Sequence, residues 1–214
     1  MSSSVVAWLV LRVAYMLVWI NGPFGGGKTQ TAFELHRRLP DSVVCDPEEI
    51  GFGLHRAMPR ALRTNFQDYP AWRQGVYEVL DHVIGAHRGV VIAPMTVIEP
   101  KYLAETVGRL RERGHDVRHF ALLANRETVL RRIHGRTLWG LSRDPFATSH
   151  VDRCLDRLRG PEFAHHVWTD AIAVPEVAQC IATSAGLALR PNTEGPVRRR
   201  LRQSWISIKH IRFA

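Results

Sequence analysis

Residues 22–29 read Gly-Pro-Phe-Gly-Gly-Gly-Lys-Thr, a glycine-rich run that closes with a lysine and a hydroxyl-bearing residue. An apolar stretch, residues 17–21, precedes this run, and residues 29–39 follow it with apolar side chains at helical spacing. Glycines permit positive φ, so successive backbone N–H groups turn inward around an anion, and the positive end of the next helix points at the same place. Strand, loop and helix together predict a phosphate-binding loop of the G-x-x-x-x-G-K-[ST] type.

This P-loop predicts which residues hold a nucleoside triphosphate, ATP with Mg²⁺ being the expected form. Lys28 is expected to neutralise the β- and γ-phosphates, and the hydroxyl of Thr29 is expected to bind Mg²⁺. The full predicted set is Gly22, Phe24, Gly25, Gly26, Gly27, Lys28, Thr29 and Gln30. The alternative is a chance glycine-rich turn, against which the flanking strand and helix argue.

Short apolar runs alternate with helical periodicity along most of the chain. The predicted strands are residues 17–21, 42–45, 90–93, 117–123 and 167–169. The predicted helices are residues 29–39, 48–58, 72–86, 101–113, 126–136, 150–158 and 175–184. Such alternation specifies an α/β fold, a five-stranded parallel sheet with helices on both faces in three layers.

Length and charge predict one domain with two appendages. At 214 residues and 45% hydrophobic content, the chain is expected to form a domain over residues 16–188. Residues 1–15 are interpreted as an over-called start or a dispensable extension rather than a targeting segment. Residues 189–214 form a tail that carries +6 of the net charge of +9.

The nearly neutral body of the chain disfavours a nucleic-acid partner. The three cysteines are scattered along the sequence, which fits reduced thiols in the cytoplasm.

The tail contains an apolar stripe at helical spacing. Its members are Val197, Leu201, Trp205, Ile208 and Ile211, with arginines between them. A basic amphipathic helix of this kind is typical of peripheral contact with an anionic membrane through residues 197–214. A terminal helix docked on the domain or a partner, or a disordered tail, remains the alternative.

Beyond the P-loop, the chain resembles the tunicamycin-resistance (TmrB-like) group of P-loop proteins, which is related to chloramphenicol phosphotransferase and the small P-loop kinases. The resemblance rests on GPFGGGKTQTA at residues 22–32, DPEEIG at residues 46–51 and FQDYPAWR at residues 66–73, and it extends over residues 16–185. It implies an adenylate-kinase-like sheet of order 2-3-1-4-5, ATP binding, and an antibiotic or nucleoside-like second ligand.

Asp46 is the candidate catalytic acid on the acceptor side. It ends the second predicted strand, and the carboxyl ends of parallel strands converge on the ligand crevice. The resemblance implies that an acid here orients the acceptor hydroxyl or takes its proton. The alternative is an Asp-Pro turn or a helix cap, in which Asp46 or Glu48 caps the next helix.

Residues 66–73 are the candidate substrate-binding segment. Gln67, Asp68, Trp72 and Arg73 suit a polar ring or sugar, through stacking and hydrogen bonds. The alternative is a capped helix start with Trp72 in the core. The family resemblance favours the binding interpretation.

Arg132 and Arg136 are predicted to share one face of a basic helix, because they are four residues apart. The resemblance implies a lid helix whose arginines stabilise the transferring phosphoryl group, and a solvated basic face is the alternative. The third strand is followed by no acid until Glu99, which departs from many P-loop NTPases and favours the kinase-like branch.

Two functions stay open from the sequence. The first is an ATP-dependent phosphotransferase acting on a hydroxyl of a small molecule, for example the nucleoside antibiotic tunicamycin. The second is a resistance protein that binds ATP and sequesters its ligand without turnover, with the membrane surface as one place for it to act. A nucleic-acid-linked ATPase is disfavoured by the near-neutral body.

Overall fold

Five parallel strands form the centre of the protein in the computed structural model, which describes residues 15–135, 148–195 and 202. The strands are β1 (Met16–Asn21), β2 (Val43–Val44), β3 (Val90–Pro94), β4 (Asp116–Leu123) and β5 (His166–Trp168). They lie in the order β2-β3-β1-β4-β5, with every pairing parallel. The predicted five-stranded parallel sheet and its order are confirmed.

Helices cover both faces of this sheet, as the periodicity predicted. They are α1 (Lys28–Arg38), α2 (Glu48–Ala57), α3 (Pro70–Ala86), α4 (Pro100–Leu103), α5 (Arg109–Glu112), α6 (Arg126–Gly135), α7 (Val151–Leu158) and α8 (Val174–Ser184). A π-helical turn, Ala104–Gly108, joins α4 to α5, so the predicted helix over residues 101–113 is continuous but locally widened.

The central strand β1 divides the core between the two faces. Leu17 and Trp19 pack on the side of α3 and α7, whereas Val18 and Ile20 pack on the side of α1 and α8. All four are fully buried, because a strand alternates its side chains and this one lies in the middle of the sheet. The P-loop therefore follows directly from a buried central strand.

Some predictions fall outside the described residues. They are the extension up to residue 14, the catalytic assignment of Arg136, and the tail from residue 196 onward apart from Arg202. Within the part that the structure describes, no helix is both long and apolar enough to cross a membrane.

Candidate functional site

The P-loop is a tight turn between β1 and α1. Gly25 has φ of +77° and Gly27 has φ of +90°, left-handed conformations that favour glycine. The Gly26 N–H donates to the carbonyl of Pro23 at 2.9 Å. Residues with this geometry make a concave row of N–H groups, which is the shape that cradles phosphate.

Lys28 lies inside the curve of this loop. The residue is 8% exposed, and its Nζ donates to the carbonyl of Pro23 at 3.1 Å and lies 5.7 Å from the centroid of the Phe24 ring. The first turn of α1 reads Lys-Thr-Gln-Thr and carries no acidic side chain, so its positive end is not neutralised locally. Lysine, loop and helix end fit a polyphosphate, and the half-buried hydroxyl-bearing Thr29 fits a Mg²⁺ ion held mainly by phosphate oxygens.

The side chains of Asn21 and Thr96 bond both backbone groups of Gly22, the first residue of the P-loop. The Gly22 N–H donates to Asn21 Oδ1 at 2.8 Å, and the Gly22 carbonyl accepts from Thr96 Oγ1 at 2.9 Å. Asn21 is fully buried and also bonds Val97, through Oδ1 from the Val97 N–H at 3.0 Å and through Nδ2 to the Val97 carbonyl at 2.7 Å. The loop that follows β3 is thus fixed to the start of the P-loop.

A buried histidine completes this network. His119 Nε2 lies 3.3 Å from Asn21 Nδ2, and Nδ1 lies 3.2 Å from the carbonyl of Ala164. Burial lowers the pKa of His119 to about 4, so the ring is neutral near pH 7. A proton on Nδ1 bonds Ala164 and leaves Nε2 to accept from Asn21, which satisfies both residues.

Asp46 caps α2 in this structure. Its Oδ1 accepts the N–H of Glu48 at 3.0 Å, just beyond the end of β2. The capping interpretation is therefore realised, and it fixes the direction of the carboxylate at the carboxyl edge of the sheet. A catalytic role for Asp46 stays a prediction.

The acceptor segment is bonded to the loop that holds the P-loop. Gln67 Nε2 donates to the Thr96 carbonyl at 2.8 Å. Tyr102 donates its hydroxyl to Asp68 at 2.8 Å, and this bond is the main cause that raises the pKa of Tyr102. Because Thr96 also bonds Gly22, one continuous chain of hydrogen bonds links the acceptor segment to the phosphate loop.

Trp72 and Arg73 are buried and stabilise this segment. Trp72 is 0% exposed, its Nε1 donates to the Pro47 carbonyl at 3.0 Å, and its ring has no surface for stacking on a substrate. The core alternative therefore describes Trp72 in this structure. Arg73 is buried, forms an ion pair with Glu105, and donates to the Gln67 carbonyl at 2.6 Å.

Arg132 is tied to the end of β5. Its Nη1 donates to Thr169 Oγ1 at 2.9 Å and its Nη2 to the Thr169 carbonyl at 2.6 Å. Burial lowers the pKa of this guanidinium. Arg132 therefore fastens α6 to the sheet in this structure, and contact with a phosphoryl group would require these bonds to be exchanged.

The helix that carries Arg132 packs directly on the P-loop. A Cβ atom at Gly25 would lie 2.7 Å from Ile133 Cγ1 and 3.0 Å from the Val129 carbonyl. Phe24 packs with Val129, Ile133 and residues of α7 in a small separate core. The position of α6 relative to the phosphate loop is consequently set by close contact.

Glu99 is neutralised by arginines of α7. Its carboxylate accepts from Arg153 Nη2 at 2.6 Å and from Arg157 Nη2 at 3.1 Å. The first acid after β3 is therefore engaged in ion pairs in this structure.

Sequence reasoning missed several residues that shape the site. They are Asn21, Thr96, Glu105, His119, Arg153 and Arg157. Asn21 could have been noticed, because a buried polar residue just before the first glycine of the loop needs partners. The others bond across long sequence separations that no local pattern encodes.

Comparison with known proteins gives the following relatives. A family model described as an AAA domain matches residues 17–161. The tunicamycin resistance protein of Deinococcus radiodurans is 32% identical, with a TM-score of 0.69, over 82% of this chain and 98% of its own. No curated protein matches the sequence significantly.

Two kinases share the fold at lower identity. The gluconokinase of Sinorhizobium meliloti is 17% identical, with a TM-score of 0.57, over 79% of this chain and 90% of its own. The APS kinase CysC of Mycobacterium tuberculosis, solved with AMPPNP and APS, is 19% identical, with a TM-score of 0.56, over 80% of this chain and 97% of its own.

Proposed function

Because this chain belongs to the tunicamycin-resistance (TmrB-like) family of P-loop proteins, we propose that it is an ATP-dependent phosphotransferase acting on a hydroxyl of a small molecule. The observation that supports the proposal is the bonded path from Gly22 through Thr96 to Gln67, because one loop bonds both the proposed phosphate cradle and the proposed acceptor segment. A nucleoside antibiotic such as tunicamycin is the proposed class of acceptor.

Some of the proposed site residues bind phosphate groups, and Asp46 takes part in proton transfer. The P-loop N–H groups and Lys28 hold the β- and γ-phosphates. Mg²⁺, held by Thr29 and the phosphates, would supply positive charge where negative charge accumulates. Asp46 accepts the proton of the acceptor hydroxyl. The oxygen of that hydroxyl forms a bond to the γ-phosphorus while the bond between the γ-phosphorus and the ADP oxygen breaks. Arg132 and Arg136 are proposed to stabilise the transferring phosphoryl group.

The second candidate function is ATP-dependent sequestration without turnover. Two engagements favour it: Asp46 caps α2, and Arg132 bonds Thr169. Both side chains are proposed to act in catalysis, and both already have partners within the protein. Binding an antibiotic needs no such exchange.

Mass spectrometry separates the two candidates. The protein is incubated with Mg²⁺, ATP and hydroxyl compounds that include tunicamycin, and the products are searched for an added phosphate. We expect transfer by the wild-type protein and a rate about 10²–10⁴-fold lower for Asp46→Asn, because a general base contributes that much. ATP affinity should be retained.

Asp41→Asn is the matched control, since it makes the same change in the exposed turn before β2. Tight ligand binding with neither ADP nor phosphorylated product would contradict the transferase and support sequestration. Equal transfer by Asp46→Asn and Asp41→Asn would remove Asp46 from the mechanism.

A further inference from the structure

Glu99 forms ion pairs with two arginines, Arg153 and Arg157, at the edge of the proposed cleft. Glu99 precedes α4, and it bonds Arg153 at 2.6 Å and Arg157 at 3.1 Å through different oxygens. The two arginines are four residues apart, so they project from the same face of α7. The cluster of three carries a net charge of +1.

This cluster lies between the phosphate side and the acceptor side. On the phosphate side, Val151 and Leu155 of α7 pack in one apolar cluster with Phe24 of the P-loop. On the acceptor side, the Tyr102 N–H donates to the Glu99 carbonyl at 3.0 Å, and the Tyr102 hydroxyl donates to Asp68 at 2.8 Å. The helix that carries the two arginines therefore contacts the P-loop, and their partner Glu99 adjoins the acceptor segment.

The ion pairs are weak enough to be exchanged. The side chains of Arg153 and Arg157 are 62% and 49% exposed, and that of Glu99 is 28% exposed. Solvent-exposed ion pairs contribute about 0–1 kcal/mol. A polyphosphate offers several charged oxygens to two guanidinium groups, whereas Glu99 offers one carboxylate, so the polyphosphate is the stronger partner.

We propose that Arg153 and Arg157 bind the polyphosphate of this cleft, and that Glu99 is an internal competitor that holds them in the absence of ligand. The proposal rests on the proposed function, since it assumes that polyphosphate binds at the P-loop. Glu99 then lowers the affinity for ligand and keeps the two exposed arginines paired when no ligand is bound.

Equilibrium titration with Mg·ATP and with inorganic tripolyphosphate in the absence of Mg²⁺ tests the proposal. Glu99→Gln should raise the affinity for both ligands about 3–10-fold relative to wild type, because it removes the competitor. Arg153→Ala and Arg157→Ala should each lower it about 10-fold. Unfolding curves of all variants check that they are folded.

The same helix offers matched controls, Asp156→Asn and Arg159→Ala, which alter an exposed ion pair with the same change of charge. If Glu99→Gln behaves like Asp156→Asn, or the two arginine variants behave like Arg159→Ala, the inference is wrong while the proposed function stands. If Glu99→Gln loses affinity for Mg·ATP but not for tripolyphosphate, Glu99 belongs to the metal and the inference is overturned. A wild-type protein that binds neither ligand contradicts the proposed function itself.

Discussion

Thr96 shows how a single hydroxyl positions the phosphate loop. It donates to the Gly22 carbonyl, while its own carbonyl accepts from Gln67. We predict that Thr96→Val, which keeps the shape and removes the donor, destabilises the protein by about 1–3 kcal/mol because a buried carbonyl loses its partner. ATP affinity should fall with it, and Thr96→Ser should restore both.

The control for Thr96 is Thr106→Val. Thr106 donates to the Tyr102 carbonyl one turn earlier in the same helical segment. Denaturant unfolding and ATP titration are measured on all three variants. If Thr96→Val and Thr106→Val bind ATP equally well, Thr96 does not position the loop.

His119 predicts a pH dependence of stability. Its pKa is lowered to about 4 by burial, against an ordinary value of 6.5. Between these values the unfolded chain binds a proton that the folded protein does not, so stability falls as the pH drops from about 6.5 to 4. The full effect is roughly 3 kcal/mol.

His119→Gln removes the titrating ring and keeps an amide that can bond Asn21. The free energy of unfolding of this variant should depend less on pH over that interval than that of the wild-type protein. An identical slope for both proteins would show that His119 does not titrate as its burial indicates.

Residue-level prediction from the sequence succeeds where a local motif dictates geometry. The glycines and Lys28 follow from backbone freedom and charge, and the structure gives Gly25 and Gly27 the expected positive φ. Trp72 could not be assigned, because an aromatic side chain at a helix start suits a core and a ligand equally. The bond between Gln67 and Thr96 spans 29 residues and exists only once the sheet has formed.

At the scale of elements, the contact between α6 and the P-loop limits what either can do. Gly25→Ala would place a Cβ against Ile133 and would force φ of +77° on alanine. We expect a loss of about 1–3 kcal/mol in stability and at least tenfold weaker ATP binding, since the loop must shift.

Gly53→Ala is the matched control, because a Cβ there meets no atom within 4 Å among the described residues. Gly53 lies inside α2, so alanine should stabilise the protein by about 0.5–1 kcal/mol and leave ATP affinity unchanged. Equal ATP binding by Gly25→Ala would contradict close packing of α6 on the loop.

The elements themselves were largely predictable. All five strands agree with the sequence-based expectation, because apolar runs bounded by turn residues mark buried parallel strands. Their order agrees with the one that the family resemblance implied. The direction of Arg132 was not predictable. Helical spacing places it on a face, but its bonds to Thr169 depend on where β5 ends.

At the scale of the whole molecule, residues near the C-terminal end of the chain bond to the first helix, α1. Glu34 of α1 has a fully buried carboxylate that pairs with Arg37 and Arg202, each at 2.6 Å, and Arg202 also pairs with Glu194 at 2.7 Å. Arg190 and Asn192 of the tail also bond α1, so the docked alternative applies to the tail residues that the structure describes. Contact of residues 197–214 with an anionic membrane stays a prediction, tested by vesicle binding before and after their deletion.

Glu34→Gln tests whether this junction stabilises the domain. We expect a loss of about 1–3 kcal/mol in the free energy of unfolding, because two guanidinium groups lose a charged acceptor and Glu194 compensates only one. Glu112→Gln, an exposed change of the same kind, is the control. Equal stability of the two variants would mean that the junction contributes nothing.

The most direct measurement is calorimetric titration of the wild-type protein and Lys28→Ala with Mg·ATP, with Lys101→Ala as the control. Lys101 is a surface lysine that is 78% exposed. The proposed phosphate site predicts saturable binding by the wild-type protein and Lys101→Ala, and about 10–100-fold weaker binding by Lys28→Ala. Absence of binding to the wild-type protein, or equal binding by Lys28→Ala, would contradict it.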